Sequence, residues 1–143
     1  MLPLRLVIDT NVIVSAVLKP EGFERAALVV ALTKPARLYV SRPILEEYVE
    51  VLSRPVLKIR KGTRRQLVQW IRNNSYVITP SRIPARAIDP DDDKFLDCAD
   101  AARADYLITG NVKHFPRFWK STKIIPARDF IDVVAPHLIP GAQ

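Results

Sequence analysis

Four short apolar runs each stop on a small polar or acidic residue, and this pattern constrains the fold more than any other. Leu6-Val7-Ile8 precedes Asp9, Leu38-Tyr39-Val40 precedes Ser41, Tyr76-Val77-Ile78 precedes Thr79, and Tyr106-Leu107-Ile108 precedes Thr109. Short runs of branched and aromatic residues fit strands buried on both sides, because a strand facing water on one side would alternate apolar with polar. Helical stretches separate them. Strands alternating with helices predict an α/β architecture, a central mostly parallel sheet covered by helices on both faces. In such sheets ligands gather beyond the carboxyl ends of the strands, which is where Asp9, Ser41, Thr79 and Thr109 fall.

Residues 10–18 continue the apolar pattern as a helix, which Pro20 and Gly22 interrupt before a second helix over 23–32. Ser41 and Pro43 suit the N-cap and first turn of a helix running to Leu52, closed by Arg54-Pro55. A basic helix over 63–73 leads into the strand at 76–78, followed by a proline-containing loop over 80–90. Asp91 or Asp92 opens a helix that ends near Arg103. Lys123-Ile124-Ile125 is a further strand, with a last helix from about Arg128. The 143 residues, 48% of them hydrophobic, can fill one domain over 1–143, with 136–143 a loosely held tail. No apolar stretch approaches the roughly 20 residues of a membrane span. Without a signal-peptide pattern, a cytoplasmic protein is expected.

Charge is unevenly spread. Lysine and arginine number 22 against 15 aspartate and glutamate, a net charge of +7 that favours polyanionic partners without proving one. Lys58, Arg60, Lys61, Arg64, Arg65 and Arg72 crowd one segment; Asp89, Asp91, Asp92, Asp93, Asp97, Asp100 and Asp105 crowd another. The single cysteine, Cys98, excludes an intrachain disulfide and a cysteine-rich zinc cluster. A bound metal must then be held mainly by oxygen, which favours magnesium or manganese. With 4 glycines the chain carries no glycine-rich phosphate loop, and His114 and His137 suggest no histidine-centred mechanism. Asn11 stands where a covalent phosphatase would need a second acid after Asp9.

Among the acids, Asp9 must be solvated, hydrogen-bonded or metal-bound if it follows a buried strand. It reads equally as a cap for the helix beginning at Thr10-Asn11 or as a site residue, with Thr10 and Asn11 able to orient it in either case. Helical phase separates three glutamates: Ile44, Tyr48, Val51 and Leu52 mark a buried sector with Glu47 at its edge, whereas Glu46 and Glu50 point away. Glu47 is either a cleft residue or an ordinary boundary residue. Asp93, Asp97 and Asp100 share one face at i, i+4 and i+7, opposite Phe95, Leu96, Cys98, Ala99 and Ala102. That face is either solvated, with its first acid complementing the helix dipole, or relieved of repulsion by a bound cation. Trp70 reads as core packing with Leu67 and Ile71 on a helical stripe.

Taken together, these motifs resemble the PIN-domain family. Val7-Ile8-Asp9-Thr10-Asn11-Val12 resembles its opening motif, and Ser41-Arg42-Pro43-Ile44-Leu45-Glu46-Glu47-Tyr48 its second acidic motif. Asp89-Pro90-Asp91-Asp92-Asp93-Lys94-Phe95-Leu96 and Ala104-Asp105-Tyr106-Leu107-Ile108-Thr109-Gly110-Asn111 resemble the third and fourth. The resemblance is nearest to toxin components of toxin-antitoxin pairs, relatives of the VapC toxins. It implies a PIN-like three-layer α/β/α sandwich and a magnesium- or manganese-dependent endoribonuclease with an antitoxin partner and a homodimeric state. It places Asp9, Glu47, Asp93 and Asp97 on metal-binding, catalytic positions, supported by Thr10, Asn11, Ser41, Thr109 and Asn111. Asn111 departs from the family's common aspartate, which removes one charge and weakens any second metal site. Lys58, Lys61, Arg64 and Arg65 are the expected nucleic-acid contacts. Two other readings are a weakly catalytic PIN domain that binds RNA or protein, and a flap-type DNA nuclease.

Overall fold

The computed structural model describes residues 3–80 and 90–138. Residues 81–89 of the expected proline-containing loop, Asp89 among them, and residues 139–143 of the tail lie outside this description. The elements run β1 (Arg5–Ile8), α1 (Thr10–Leu18), α2 (Phe23–Ala31), β2 (Arg37–Val40), α3 (Arg42–Leu52), α4 (Lys61–Asn74) and β3 (Ser75–Val77). There follow α5 (Asp93–Ala102), β4 (Tyr106–Ile108), β5 (Phe118–Trp119), β6 (Thr122–Ile125) and α6 (Ala127–Val134). Short 3-10 turns occur at Pro55–Leu57, Pro90–Asp92, Val112–His114 and Pro136–Leu138, so the tail begins with an ordered turn.

The strands form one sheet in the order β3-β2-β1-β4-β6-β5. Every neighbouring pair is parallel except β5 with β6. Leu6 lies beside Leu38 and Tyr106, while Ile8, Ile108 and Ile125 align across three strands. Leu6, Val7 and Ile8 are fully buried, as are Leu38, Val40, Leu107 and Ile108. This burial accounts for the unbroken apolar runs of the central strands. At the β2–β3 flank coverage is thinner: Arg37 and Tyr39 are half-buried and Tyr76 is exposed. There Tyr39 packs against Tyr76 at 5.6 Å between ring centroids, and Arg37 lies 5.1 Å from the centre of the Tyr76 ring.

Strand order reverses direction after β3. The chain steps outward from β1 to β2 to β3, then returns to the other side of β1 as β4. Because parallel crossovers are right-handed, that reversal puts α5 on the opposite face of the sheet from α1 and α2. The helices pack accordingly: α1 against α2 and α2 against α6, with α5 against β1, β2 and β4. The β1–β4 junction is therefore the topological switch point, where neighbouring crossovers diverge and leave a crevice above the strand ends.

Several boundaries and one element differ from the sequence reading. The basic helix begins at Lys61, before the expected Thr63, β3 spans Ser75–Val77 where 76–78 was expected, α5 begins at Asp93 after a 3-10 turn over Pro90–Asp92, and α6 begins at Ala127. The β5–β6 hairpin was not expected. Its two-residue turn gives Lys120 a φ of 55°, a conformation that turn sequences usually mark with glycine or asparagine.

Candidate active site

Asp9 stands at the switch point and joins the two strands that define it. Its backbone N–H donates to the Ile108 carbonyl at 2.9 Å. Its Oδ1 accepts from the Thr10 N–H at 2.7 Å, and its Oδ2 accepts from Thr109 Oγ1 at 2.7 Å and Asn11 Nδ2 at 3.2 Å. Asn11 Oδ1 in turn accepts from the Gly110 N–H at 3.0 Å, and the Asn111 N–H donates to Thr109 Oγ1 at 3.0 Å. The β1 and β4 ends are thus laced into one polar unit over an apolar sheet. Asp9 does cap α1. Yet it is only 5% exposed, and its second oxygen takes the Thr109 hydroxyl and the Asn11 side-chain amide, not a helix backbone N–H. Burial pushes its carboxyl above the usual value of 3.8, against the lowering effect of the Thr109 and Thr10 hydrogen bonds; the negative charge of Glu47 pushes it up further.

Glu47 comes to this crevice through α3. Ser41 Oγ accepts from the Ile44 N–H at 3.4 Å and Pro43 occupies the first turn, so the helix starts directly at the end of β2. The buried Tyr48 hydroxyl donates to the Ile8 carbonyl, pinning α3 to the end of β1. Glu47, next in the chain, then accepts from Thr10 Oγ1 through Oε2, while Oε1 meets Lys94 Nζ at 2.5 Å. Thr10 therefore bridges both acids, one by its amide and the other by its hydroxyl. Glu46 and Glu50 are exposed and pair with Arg42 at 4.0 Å and Arg54 at 3.1 Å, on the solvated face that helical phase assigned them.

On α5 Phe95, Leu96, Cys98, Ala99 and Ala102 are buried and Asp93, Asp97 and Asp100 half-buried. The cation beside Asp100 belongs to the protein: Lys120 Nζ stands 2.9 Å from Asp100 Oδ2. His114 Nδ1 lies 3.9 Å from Asp92 Oδ2, and a positive charge on this imidazole lowers the proton affinity of Asp9. The structure brings Asp9 and Glu47 together, while Asp93 and Asp97 lie on the adjoining helix, each already engaged in an interaction. Among the described residues no three His, Cys, Asp or Glu side chains form a ready-made cage. Ser41 serves as the α3 cap, Thr79 is exposed, and Asn111 is exposed on the loop after β4. Burial pushes the Cys98 thiol up to about 12, which fits a core residue. The pairings of Lys94 and Lys120 escaped the sequence reading, which also set His114 aside, since each joins residues remote in the chain.

The basic residues divide. Lys61, Arg64 and Arg65 join Arg72 around a groove of about 580 Å³ floored by Val49, Leu52 and Val68, between α3 and α4. Lys58 does not line it; it follows the Pro55–Leu57 turn with a φ of 53°. Trp70 packs half-buried against the core, with Arg25 4.9 Å from the centre of its ring.

Residues 5–113 match the PIN domain family. The chain belongs to the PIN-domain family. Two solved structures share the fold. One is a chain of VapBC2 from Rickettsia felis, bound to a DNA fragment from their promoter, with a TM-score of 0.60 and 19% identity over 85% of this chain and 97% of that one. The other is a chain of VapBC-1 from nontypeable Haemophilus influenzae, with a TM-score of 0.61 and 18% identity over 87% and 99% of the two chains. No curated protein gives a significant match.

PIN domains generally use divalent cations, and the residues of this PIN domain fit one. The donors are all oxygens, a desolvated carboxylate lies at the centre, and an ammonium already rests on Glu47 as a stand-in cation. A magnesium-type ion keeps several waters and needs only one or two protein carboxylates. Asp9 and Glu47 would supply that number without a closed cage.

Proposed function

We propose that this PIN domain is a metal-dependent endoribonuclease and the toxin of a toxin-antitoxin pair, acting in the cytoplasm. The observation that carries the reading is the desolvated Asp9 carboxylate, tied to Thr109 at the switch point and joined to Glu47 through Thr10. In this reading Asp9 and Glu47 hold magnesium or manganese, and Asp93 and Asp97 contribute from α5. Held there, a divalent cation supplies the Lewis acidity that activates a water and stabilises the leaving oxygen of a phosphodiester. Thr10, Asn11 and Thr109 fix the acids by hydrogen bonds, Ser41 fixes the start of α3, and Asn111 offers an amide oxygen at the rim. Lys61, Arg64 and Arg65 grip backbone phosphates, with Lys58 beyond the groove. The VapBC complexes that share the fold support a small antitoxin as partner, and a homodimer is the expected assembly.

A second reading, a weakly catalytic PIN domain that binds RNA or protein, is favoured by Asn111 and by the internal pairing of Glu47. Purified protein incubated with single-stranded RNA, structured RNA and DNA, with magnesium, manganese or chelator, separates these readings and a flap-type DNA nuclease. Metal-dependent RNA cleavage is expected. Asp9→Asn and Asp93→Ala should each slow it at least about a hundredfold, the scale of losing several kcal/mol of charge stabilisation. Metal should also raise the Tm, and Asp9→Asn should remove the rise. Tight RNA binding without cleavage would favour the binding module; cleavage confined to DNA would favour the flap-type enzyme.

A further inference from the structure

Lys94 occupies the place where a metal reading expects only carboxylates. Its Nζ lies 2.5 Å from Glu47 Oε1, and the two side chains are 26% and 25% exposed. The pair is not a helical-neighbour contact on open surface, since it joins α5 to α3 across 47 positions. With Thr10 on the other oxygen, both oxygens of Glu47 are engaged. A magnesium-type ion binds carboxylate oxygen at about 2.0–2.1 Å. On the same oxygen as an ammonium at hydrogen-bond distance, the ion would stand only a few ångströms from a second positive charge, and their repulsion weakens its binding. The two cations therefore compete for Glu47.

The surroundings let the lysine leave. Lys94, Glu47, Pro43, Glu46, Glu50 and Arg54 line an open hollow of about 400 Å³ beside the crevice. Glu46 and Glu50 thus offer carboxylates to a displaced ammonium. Lysine suits the exchange, being a point charge on a flexible four-carbon stem that can swing while the backbone stays fixed.

We propose that Lys94 is a built-in competitor of the metal, an internal cation that neutralises Glu47 at rest and opposes a divalent ion there until it swings away. It sets the metal concentration at which the site fills. This rests on the metal reading above, and the test separates the two. The full-length protein, stripped with chelator, is titrated with manganese chloride by calorimetry and by electron paramagnetic resonance of the free ion.

Lys94→Met should bind manganese about five- to tenfold more tightly than the wild type, the scale of releasing a partly sheltered ion pair and a nearby positive charge. Lys94→Arg, whose guanidinium can hold a carboxylate through two donors, should bind it more weakly than the wild type. Asp9→Asn should lose binding. Equal or weaker affinity in Lys94→Met, with Asp9→Asn still inactive in binding, overturns the competitor role and leaves the metal site standing. No manganese binding by the wild type or either Lys94 variant sinks both. If Lys94→Met fails to fold, Lys94→Arg decides alone: affinity equal to or tighter than the wild type overturns the proposal.

Discussion

Asp9 places an ionisable group where water barely reaches, so its cost to the fold depends on pH. Burial is the largest influence on it and raises its proton affinity above the usual 3.8. The folded state then binds more protons than the unfolded state between 3.8 and the raised native value, and stability must fall as pH rises through that window. Above it the penalty of the ionised, desolvated carboxylate is fully present. In chelator, Asp9→Asn should therefore melt above the wild type at pH 7, with the gap closing toward pH 4. The amide oxygen still accepts from Thr10 and keeps the α1 cap. Melts followed by circular dichroism across that range test the sign. A uniform loss of Tm at every pH would mean that the hydrogen bonds of Asp9 outweigh its desolvation. Metal should invert the ranking at neutral pH, since a cation on Asp9 turns the cost into a binding site.

Placing Glu47 depends on α3, and α3 is attached at its start and at its middle. Ser41 starts it and Tyr48 fastens it to the Ile8 carbonyl, one residue before Asp9. Tyr48→Phe removes that buried donor, at a cost of about 1–3 kcal/mol in a urea melt. It should also weaken metal binding by loosening the hold on Glu47, although the carboxylate itself is retained; unchanged stability would show that the carbonyl is satisfied without it. Much of this element was legible in the sequence. Ser41 and Pro43 marked its start, and phase put Glu47 at the buried edge with Glu46 and Glu50 in solvent, because cap chemistry and helical period are local. The cations opposite the acids were not legible. Lys94 meets Glu47 across 47 positions and Lys120 meets Asp100 through the β5–β6 hairpin, so no local spacing encodes either. The hairpin itself was hidden: β5 is two residues long, too short for an alternating pattern, and its turn carries Lys120 where glycine would have signalled it. The switch point was within reach only in part, since strand ends can be read from the chain but strand order cannot.

At the scale of the molecule, α3 separates two fields of opposite sign. Glu47 faces the crevice, while Val49 and Leu52 on the same helix face the groove edged by Lys61, Arg64, Arg65 and Arg72. Strand ends build the acidic site and the α3–α4 pair builds the basic one, so a polyanion reaching both must cross a helix about 10–12 Å wide. That geometry suits a single strand, which can bend over the helix while its phosphates stay in the groove. Contacts of this kind release counterions, and single-stranded affinity falls with salt at a slope of roughly −0.7 for each phosphate neutralised. Replacing both Arg64 and Arg65 with alanine should therefore reduce the slope of log affinity against log salt by about 1.4, by the same relation. Manganese affinity should not change, because neither arginine is among the partners of Asp9 or Glu47. Fluorescence anisotropy with a short labelled RNA from 50 to about 300 mM salt measures the slope. An unchanged slope would move the nucleic-acid path off the α3–α4 groove. A reduced slope with cleavage lost in proportion to binding would establish that the basic groove delivers the strand to acids on the far side of α3.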